Sequence, residues 1–417
     1  MNNVEDLFSF DKAQATQFLI DTVTSKDLSI KHPTKNIATF SRQSKRYRKA
    51  NIICFTDEQD ANPWYLVQIY DFVNGYICED KVFNPLNTSE INEISKLISD
   101  NQLTFNYHKG SKHVDGLIFS QVRPYHYIYD QYVNYFALSE LSNIDEYCYT
   151  DKNCFYRELP NYKQLKQVKE QGCYLFPCIK GGDYDSSTAT KMHKFLQNNH
   201  VSQHVDTELI IWFGITAQKR SWIEQSKSCV KIAKRLSRHF SSITLLIDGW
   251  TSLAGGKPDS QKDIARDNSV FFAIQKQLKN EENLKVVSLI GKDYKDKVSY
   301  ANTIDAFVAN SGTGGMVPMM FSDKRGIIHS NGRLHTFERS YSEKIKVTNI
   351  DKITAEEHAI DAGVYSIDWR VIYNDLCEIL QIEDKLKERK PTKNRFFLNL
   401  KKVIFKKNIQ IWSKIKK

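Results

Sequence analysis

Residues 303 to 318 read Thr-Ile-Asp-Ala-Phe-Val-Ala-Asn-Ser-Gly-Thr-Gly-Gly-Met-Val-Pro. Ile304 to Ala309 predicts an apolar strand running into Asn310-Ser311-Gly312-Thr313-Gly314-Gly315, with a short helix after it. A turn of this composition leaves backbone N–H groups unpaired at a helix N-terminus, among hydroxyls and clear of bulky side chains, which suits a phosphate. It lacks the closing Gly-Lys-Ser/Thr of a P-loop and the G-x-G-x-x-G spacing of a dinucleotide fold. The competing reading is an ordinary strand-to-helix turn whose glycines permit positive φ and close packing. The stretch alone does not separate the two.

Its surroundings carry a regular pattern. Leu209 to Gly214, Ile243 to Ile247, Lys285 to Ile290 and Ile304 to Ala309 are runs of Ile, Leu and Val, with Gly326 to His329 as an edge strand. Helices are expected at Lys219 to Phe240, Asp267 to Lys279 and Lys295 to Asn302. A further helix, Asp368 to Leu380, would cross back to the first domain. Continuous apolar strands joined by helices indicate a parallel sheet covered on both faces, a Rossmann-like domain over 207 to 385. In such sheets the ligand lies beyond the carboxyl ends of the strands. The residues collected there are Thr216, Gln218, Lys219, Arg220, Asp248, Trp250, Lys292, Ser311, Gly312, Thr313, Gly314, Gly315 and His329 to Asn331. Cations, an aromatic ring, a carboxylate and a phosphate-sized turn suit a nucleotide diphosphate, although each residue alone reads equally as a cap or a surface charge.

The first domain is placed at 1 to 200. Its first fifty residues are polar and read as a solvated face. Strands are expected at Ile52 to Phe55, Trp64 to Tyr70, Gly75 to Cys78, Val114 to Ser120 and Gly172 to Ile179, with a helix over 88 to 99. Pro124 suits the first turn of a helix reaching Leu141. On it, His126 and Asp130 stand one turn apart, the spacing of a general base and its orienting partner; the other reading is aromatic packing beside a solvated acid. The polar glycine loop 180 to 188 contains Asp183-Tyr184-Asp185, a D-x-D that arises easily by chance, and Asp183 is a third candidate base. Residues 198 to 206 form the linker.

Of the 417 residues, 41% are hydrophobic and 26% charged, which fits a globular protein of two domains. The net charge of +10 is not spread evenly. From Lys385 to Lys417 there are 13 Lys/Arg and one acid, which leaves 46 basic and 48 acidic residues elsewhere. A neutral body argues against nucleic acid as partner. The tail, 386 to 417, places Phe397, Leu400, Ile404, Ile411 and Ile415 at helical spacing among lysines, a pattern that suits peripheral contact with an anionic membrane. No apolar stretch is long enough to span a bilayer, and Met-Asn-Asn-Val-Glu-Asp does not read as a signal peptide. Eight scattered cysteines suggest reduced thiols in a cytoplasm. The spacings among Cys148, Cys154, Cys173 and Cys178 are too loose for a zinc knuckle, so no metal is expected.

Ile210-Ile211-Trp212-Phe213-Gly214-Ile215-Thr216-Ala217-Gln218-Lys219-Arg220-Ser221-Trp222 and Phe307-Val308-Ala309-Asn310-Ser311-Gly312 resemble segments of the GT-B glycosyltransferases, nearest to the bacterial heptosyltransferase type. The resemblance covers the second half; the first half fits by architecture only. It implies an α/β fold with two Rossmann-like domains facing across a cleft. It also implies transfer of a sugar from a nucleotide-sugar to a lipopolysaccharide, capsule or other cell-surface glycan, free or lipid-linked, without metal or cofactor. Lys219 matches the family's phosphate-contacting lysine. Asn310 stands where the family has an acid, and the histidine that follows there is replaced by Gly314-Gly315-Met316, so no base is assigned by resemblance. The site implied is cytoplasmic, at the inner membrane face. A glycan phosphotransferase and a non-catalytic member of a glycan assembly pathway are the rival readings.

Overall fold

The computed structural model describes residues 2–79, 81–179, 187–199, 203–258, 260–331, 341–355 and 363–389. The chain divides into two compact units, Met1–Met192 and His193–Lys417.

The first unit opens with α1 (Val4–Phe8) and α2 (Lys12–Ser25), the latter started by a capping box between Asp11 and Gln14. An antiparallel meander follows: β1 (Ser29–Lys31), β2 (Ala38–Tyr47), β3 (Ala50–Thr56), β4 (Trp64–Gln68), β5 (Gly75–Cys78) and β6 (Lys81–Phe83). Ile91 and Ile94 of α3 (Ser89–Ser99) close one face of it over Ile52, Val67 and Ile77. The polar character of the first fifty residues therefore misleads. Arg42 of β2 is buried, with Nε donating to Thr56 Oγ1 at 2.6 Å and Nη2 3.0 Å from Asp60, so a paired charge occupies an inward position.

The same unit carries a small parallel sheet of β7 (Gly116–Ile118), β8 (Cys148–Thr150), β11 (Lys166–Gln167) and β12 (Tyr174–Leu175), with the hairpin β9 (Glu158–Leu159) and β10 (Lys163–Gln164) beside it in sequence. The crossover from β7 to β8 is helical throughout: α4 (Pro124–His126), a π-turn (Tyr127–Tyr132) and α5 (Val133–Leu141). Only Tyr174 and Leu175 of the strand expected at 172 to 179 enter a ladder, although the segment beyond is buried. The helix α6 (Ser187–Asn198) ends the region.

The second unit is built on six parallel strands, β13 (Leu209–Gly214), β14 (Ile243–Asp248), β15 (Leu284–Ser288), β16 (Ala306–Asn310), β17 (Gly326–His329) and β18 (Ile345–Val347). Their order is β15-β14-β13-β16-β17-β18, a doubly wound 3-2-1-4-5-6 sheet. Unit one's parallel sheet, β11-β8-β7-β12, repeats the 3-2-1-4 part of that order. Leu209, Ile211 and Phe213 belong to a core with Ile232 and Leu236 of α7 (Gln225–Leu236), Ile274 of α8 (Gln261–Leu278) and Ile372 and Leu376 of α10 (Trp369–Leu380). Trp212, one residue out of step, faces the other side of the sheet. Each of these side chains, fully buried, contributes about 1.5–3 kcal/mol. The helix α9 (Tyr294–Ala301) joins β15 to β16, and the short β19 (Ile353–Ala355) pairs antiparallel with β20 (Tyr365–Ile367).

Three features differ from the sequence reading. The helix after β13 begins at Gln225 and not at Lys219, because Arg220 sits at φ 50°, a left-handed conformation that no helix interior accepts. Gly326–His329 is internal, since β18 pairs with its outer side. The α10 helix packs on α7, β16 and β17 of its own unit, where Arg235 grips Asp384 just beyond its end at 2.6 Å. No helix among the described residues is long and apolar enough to cross a membrane. The basic tail from 390 onward lies outside the described residues.

Candidate functional site

In the second unit the strand order reverses between β13 and β16, and the chain leaves both strands at that point. The ends lie close: a Cβ on Gly214 would sit 3.0 Å from the Cβ of Ala309. Gln225 holds the loop after β13, accepting from the N–H of Thr216 at 3.0 Å and donating to its carbonyl at 2.8 Å. The left-handed Arg220 then turns its guanidinium onto the opposite loop, so that a Cβ on Gly312 would lie 3.0 Å from Nη2. Gly312 itself has φ +126°, open only to glycine at low cost.

The structure shows the packing purpose of the glycine turn at two of its residues. Side chains at Gly314 and Gly315 would collide with Asn310 Oδ1 and with Ile328 Cδ1, so these two glycines are for packing. The N–H groups of Ser311, Gly315 and Met316 bond within the fold, to His329, Gly312 and Thr313 carbonyls. Those of Gly312, Thr313 and Gly314 have no acceptor among the described residues. Three successive amides without an acceptor, beside a guanidinium, are the kind of arrangement that suits an anion. The following helix is a single buried π-turn, Met316–Phe321, so amides and Arg220 supply the field and a helix dipole adds little.

A strap from β20 fixes this corner. Tyr365 donates its N–H to Ser221 at 3.1 Å and accepts from Ile223 at 2.9 Å, and Trp222 Nε1 donates to Ile367 at 3.1 Å. The Tyr365 hydroxyl meets His329 Nδ1 at 2.7 Å. Burial pushes His329 down to about 3, so its ring is neutral and the contact with the hydroxyl is one between uncharged groups. Burial raises Tyr365 and the nearby Arg220 charge opposes it.

The remaining candidates separate. Asp248, expected to meet a ligand, is buried, and its carboxylate faces the ammonium of Lys297 at 2.5 Å. Burial raises its pKa and Lys297 opposes the shift. Lys292, just before the N-cap of the helix Tyr294–Ala301, pairs with Asp296 in its first turn at 2.9 Å. Lys219 is exposed, and Trp250 and Thr216 are half-buried at the edge. Lys297 and Asp267 escaped the sequence reading. Lys297 lies between Tyr294 and Val298 on the buried face of α9, a position where an unpaired lysine is costly, and only its partners explain it.

In unit one, His126 and Asp130 meet as their spacing suggested, with Nδ1 and Oδ2 2.5 Å apart. Tyr70 stacks on the imidazole with ring centres 4.0 Å apart. Burial raises Asp130, opposed by His126. The pair lies on the crossover leaving β7, the first strand of the 3-2-1-4 sheet, and Ser120 beyond β7 donates to Asp151 beyond β8 at 2.5 Å. With Nδ1–H committed to Asp130, Nε2 is the basic nitrogen. Asp183 lies outside the described residues. All eight cysteines are buried and unbridged, and burial pushes Cys54 and Cys173 up to about 12.

No protein-family model matches the chain, and no curated protein does. Among solved structures, it is similar to the ADP-heptose lipopolysaccharide heptosyltransferase II of E. coli, with 15% identity and a TM-score of 0.30 over 51% of this chain. The match spans 56% of that enzyme's length. It is also similar to TarM, with 11% identity and a TM-score of 0.26 over 96% of this chain and 79% of that one. A TarM variant from S. aureus, in complex with fondaparinux, α-GlcNAc-glycerol and UDP, matches at 9% identity and a TM-score of 0.21, over 82% of this chain and 74% of that one.

Proposed function

We propose that the chain is a glycosyltransferase that moves a sugar from a nucleotide-sugar to a surface-glycan acceptor. The observation that carries this reading is the switch-point corner, where the Gly312, Thr313 and Gly314 amides have no acceptor among the described residues and the Arg220 guanidinium lies against Gly312. A seat for two linked phosphates at the reversal of a 3-2-1-4-5-6 sheet is where a nucleoside diphosphate binds. Thr216, Lys219, Trp250, Ser311 and Gly315 border it. Asp248 is left out, since Lys297 occupies its carboxylate.

In the reaction a base takes the proton of the acceptor hydroxyl; the candidate that unit one offers is His126 Nε2, with Asp130 holding Nδ1–H. The acceptor oxygen bonds to the anomeric carbon as the bond from that carbon to the β-phosphate oxygen breaks. The diphosphate leaves with the electron pair, and Arg220, Lys219 and the free amides receive the charge as it develops. Direct displacement inverts the anomeric centre. Asp183 is the alternative base, and the basic tail holds the enzyme at an anionic membrane, on the cytoplasmic face.

The test is binding of UDP, ADP, GDP and CDP to the full-length protein by calorimetry, followed by Arg220→Ala. Removing a charge-assisted contact worth about 1.5–3 kcal/mol weakens the bound diphosphate by roughly ten- to a hundredfold. No binding of any diphosphate, or unchanged affinity in the variant, would overturn the assignment and favour a non-catalytic role.

A further inference from the structure

Two buried ionisable side chains beneath the carboxyl edge of the second sheet take no part in the reaction above. Lys297 of α9 is fully buried, and its ammonium lies 2.5 Å from Asp248 Oδ1, 2.9 Å from the Gly249 carbonyl and 2.8 Å from Thr251 Oγ1, with the Trp250 carbonyl at 3.4 Å. Asp267 of α8, 2% exposed, spends one carboxylate oxygen on each of two loops: Oδ1 accepts from the N–H of Ala217 at 2.9 Å and Oδ2 from that of Trp250 at 2.8 Å. Gly249 makes the approach possible, since a Cβ there would stand 2.8 Å from Oδ2.

Burying these charges is costly, and an apolar set of the same volume would stabilise the fold equally well or better. What charges do that apolar groups cannot is fix main-chain atoms at named points. Here the points fall on the loops after β13 and β14, three residues from Arg220, two from Lys219 and at Trp250 itself. Both loops lack regular secondary structure at these points, so no ladder holds them.

We propose that Asp267 and Lys297 are positioning residues of the carboxyl-edge site: Asp267 ties the β13 loop to the β14 loop, and Lys297 holds the β14 loop down onto α9. Together they set the places from which Lys219, Arg220 and Trp250 reach a nucleoside diphosphate. The inference rests on the reading of that edge as the donor site.

The experiment is amide hydrogen exchange on the full-length chain, with UDP, ADP and GDP affinity measured in parallel, for wild type, Asp267→Asn and the double variant Lys297→Met/Asp248→Asn. Asparagine keeps one acceptor and turns an N–H toward the other donor. In Asp267→Asn, exchange at Ala217 and Trp250 is expected to rise about tenfold or more, with the β13 and β14 strands unchanged, and the diphosphate to bind about tenfold more weakly. The double variant removes both charges of the ion pair, so neither is left alone. It is expected to loosen 249 to 252 while Ala217 stays protected. Unchanged exchange at both amides overturns the clamp. Faster exchange throughout the unit reduces Asp267 to a fold stabiliser and overturns positioning, as do loosened loops with unchanged affinity. A wild-type chain that binds none of the three diphosphates overturns the donor-site reading, and with it the site these residues would position, whatever the exchange pattern.

Discussion

Replacing Lys297 by Met keeps the length of the side chain and removes its charge. In the native protein the ammonium is completely shielded and the Asp248 side chain is 6% exposed, with 2.5 Å between them. The substitution therefore strands a carboxylate in a dry site and takes donors from the Gly249 carbonyl and Thr251 as well. Breaking one side of a buried pair costs about 3–5 kcal/mol, whereas removing both charges is near neutral. With a urea slope of roughly 2 kcal/mol/M, the single variant should lower the midpoint for this unit by about 2 M. Lys297→Met/Asp248→Asn should recover most of that. The assay is equilibrium unfolding followed by tryptophan fluorescence, because Trp212, Trp222, Trp250 and Trp369 all lie in the second unit. The sign with pH is fixed. A lone buried carboxyl has its folded pKa above the unfolded value, so it destabilises at high pH and the deficit shrinks as pH falls toward the ordinary carboxyl range. The cost of Lys297→Met should therefore be larger at pH 8 than at pH 5. A loss under about 1 kcal/mol at pH 8 would refute the reasoning, as would a double variant less stable than the single one.

Asp267 gives a second pH signature: burial holds its carboxyl up to about 7, so the folded state keeps a proton that the unfolded state loses near pH 4. Its contribution is most favourable below that value and falls by a few kcal/mol as pH rises to about 7; Asp267→Asn should flatten this part of the stability profile, and an unchanged slope would contradict it. At the strap, Tyr365→Phe removes the hydroxyl that pairs with the buried His329 Nδ1, at an expected cost of about 1–3 kcal/mol. Because burial keeps His329 neutral down to about pH 3, that cost should be level from pH 5 to 8, measurable by thermal unfolding at several pH values.

At the site, the sequence could supply candidates more readily than partners. Arg220 and Gly312 are ninety-odd residues apart, and their contact exists only because β13 and β16 are neighbours. Asp248 looked like a ligand contact from its place after a strand, and the same place proved to be above a buried lysine on α9. Of the antiparallel sheet, β3, β4 and β5 were legible in the sequence, and β2 was missed for a related reason. Arg42 of β2, in the polar stretch that suggested a solvated face, is buried against Thr56 and Asp60, which lie on another strand and on a loop.

What the chain order alone determined is local: the strand-length aliphatic runs, the breaks between them, the glycine turn, and the one-turn spacing that joins His126 to Asp130. These follow from backbone geometry over a few residues, which a one-dimensional pattern records. Only the tertiary structure decided the strand order, the left-handed turn that aims Arg220 at Gly312, and which acids and lysines are consumed in pairs. Those depend on groups brought together across long loops, where burial changes the energy of a charge by more than its residue type does.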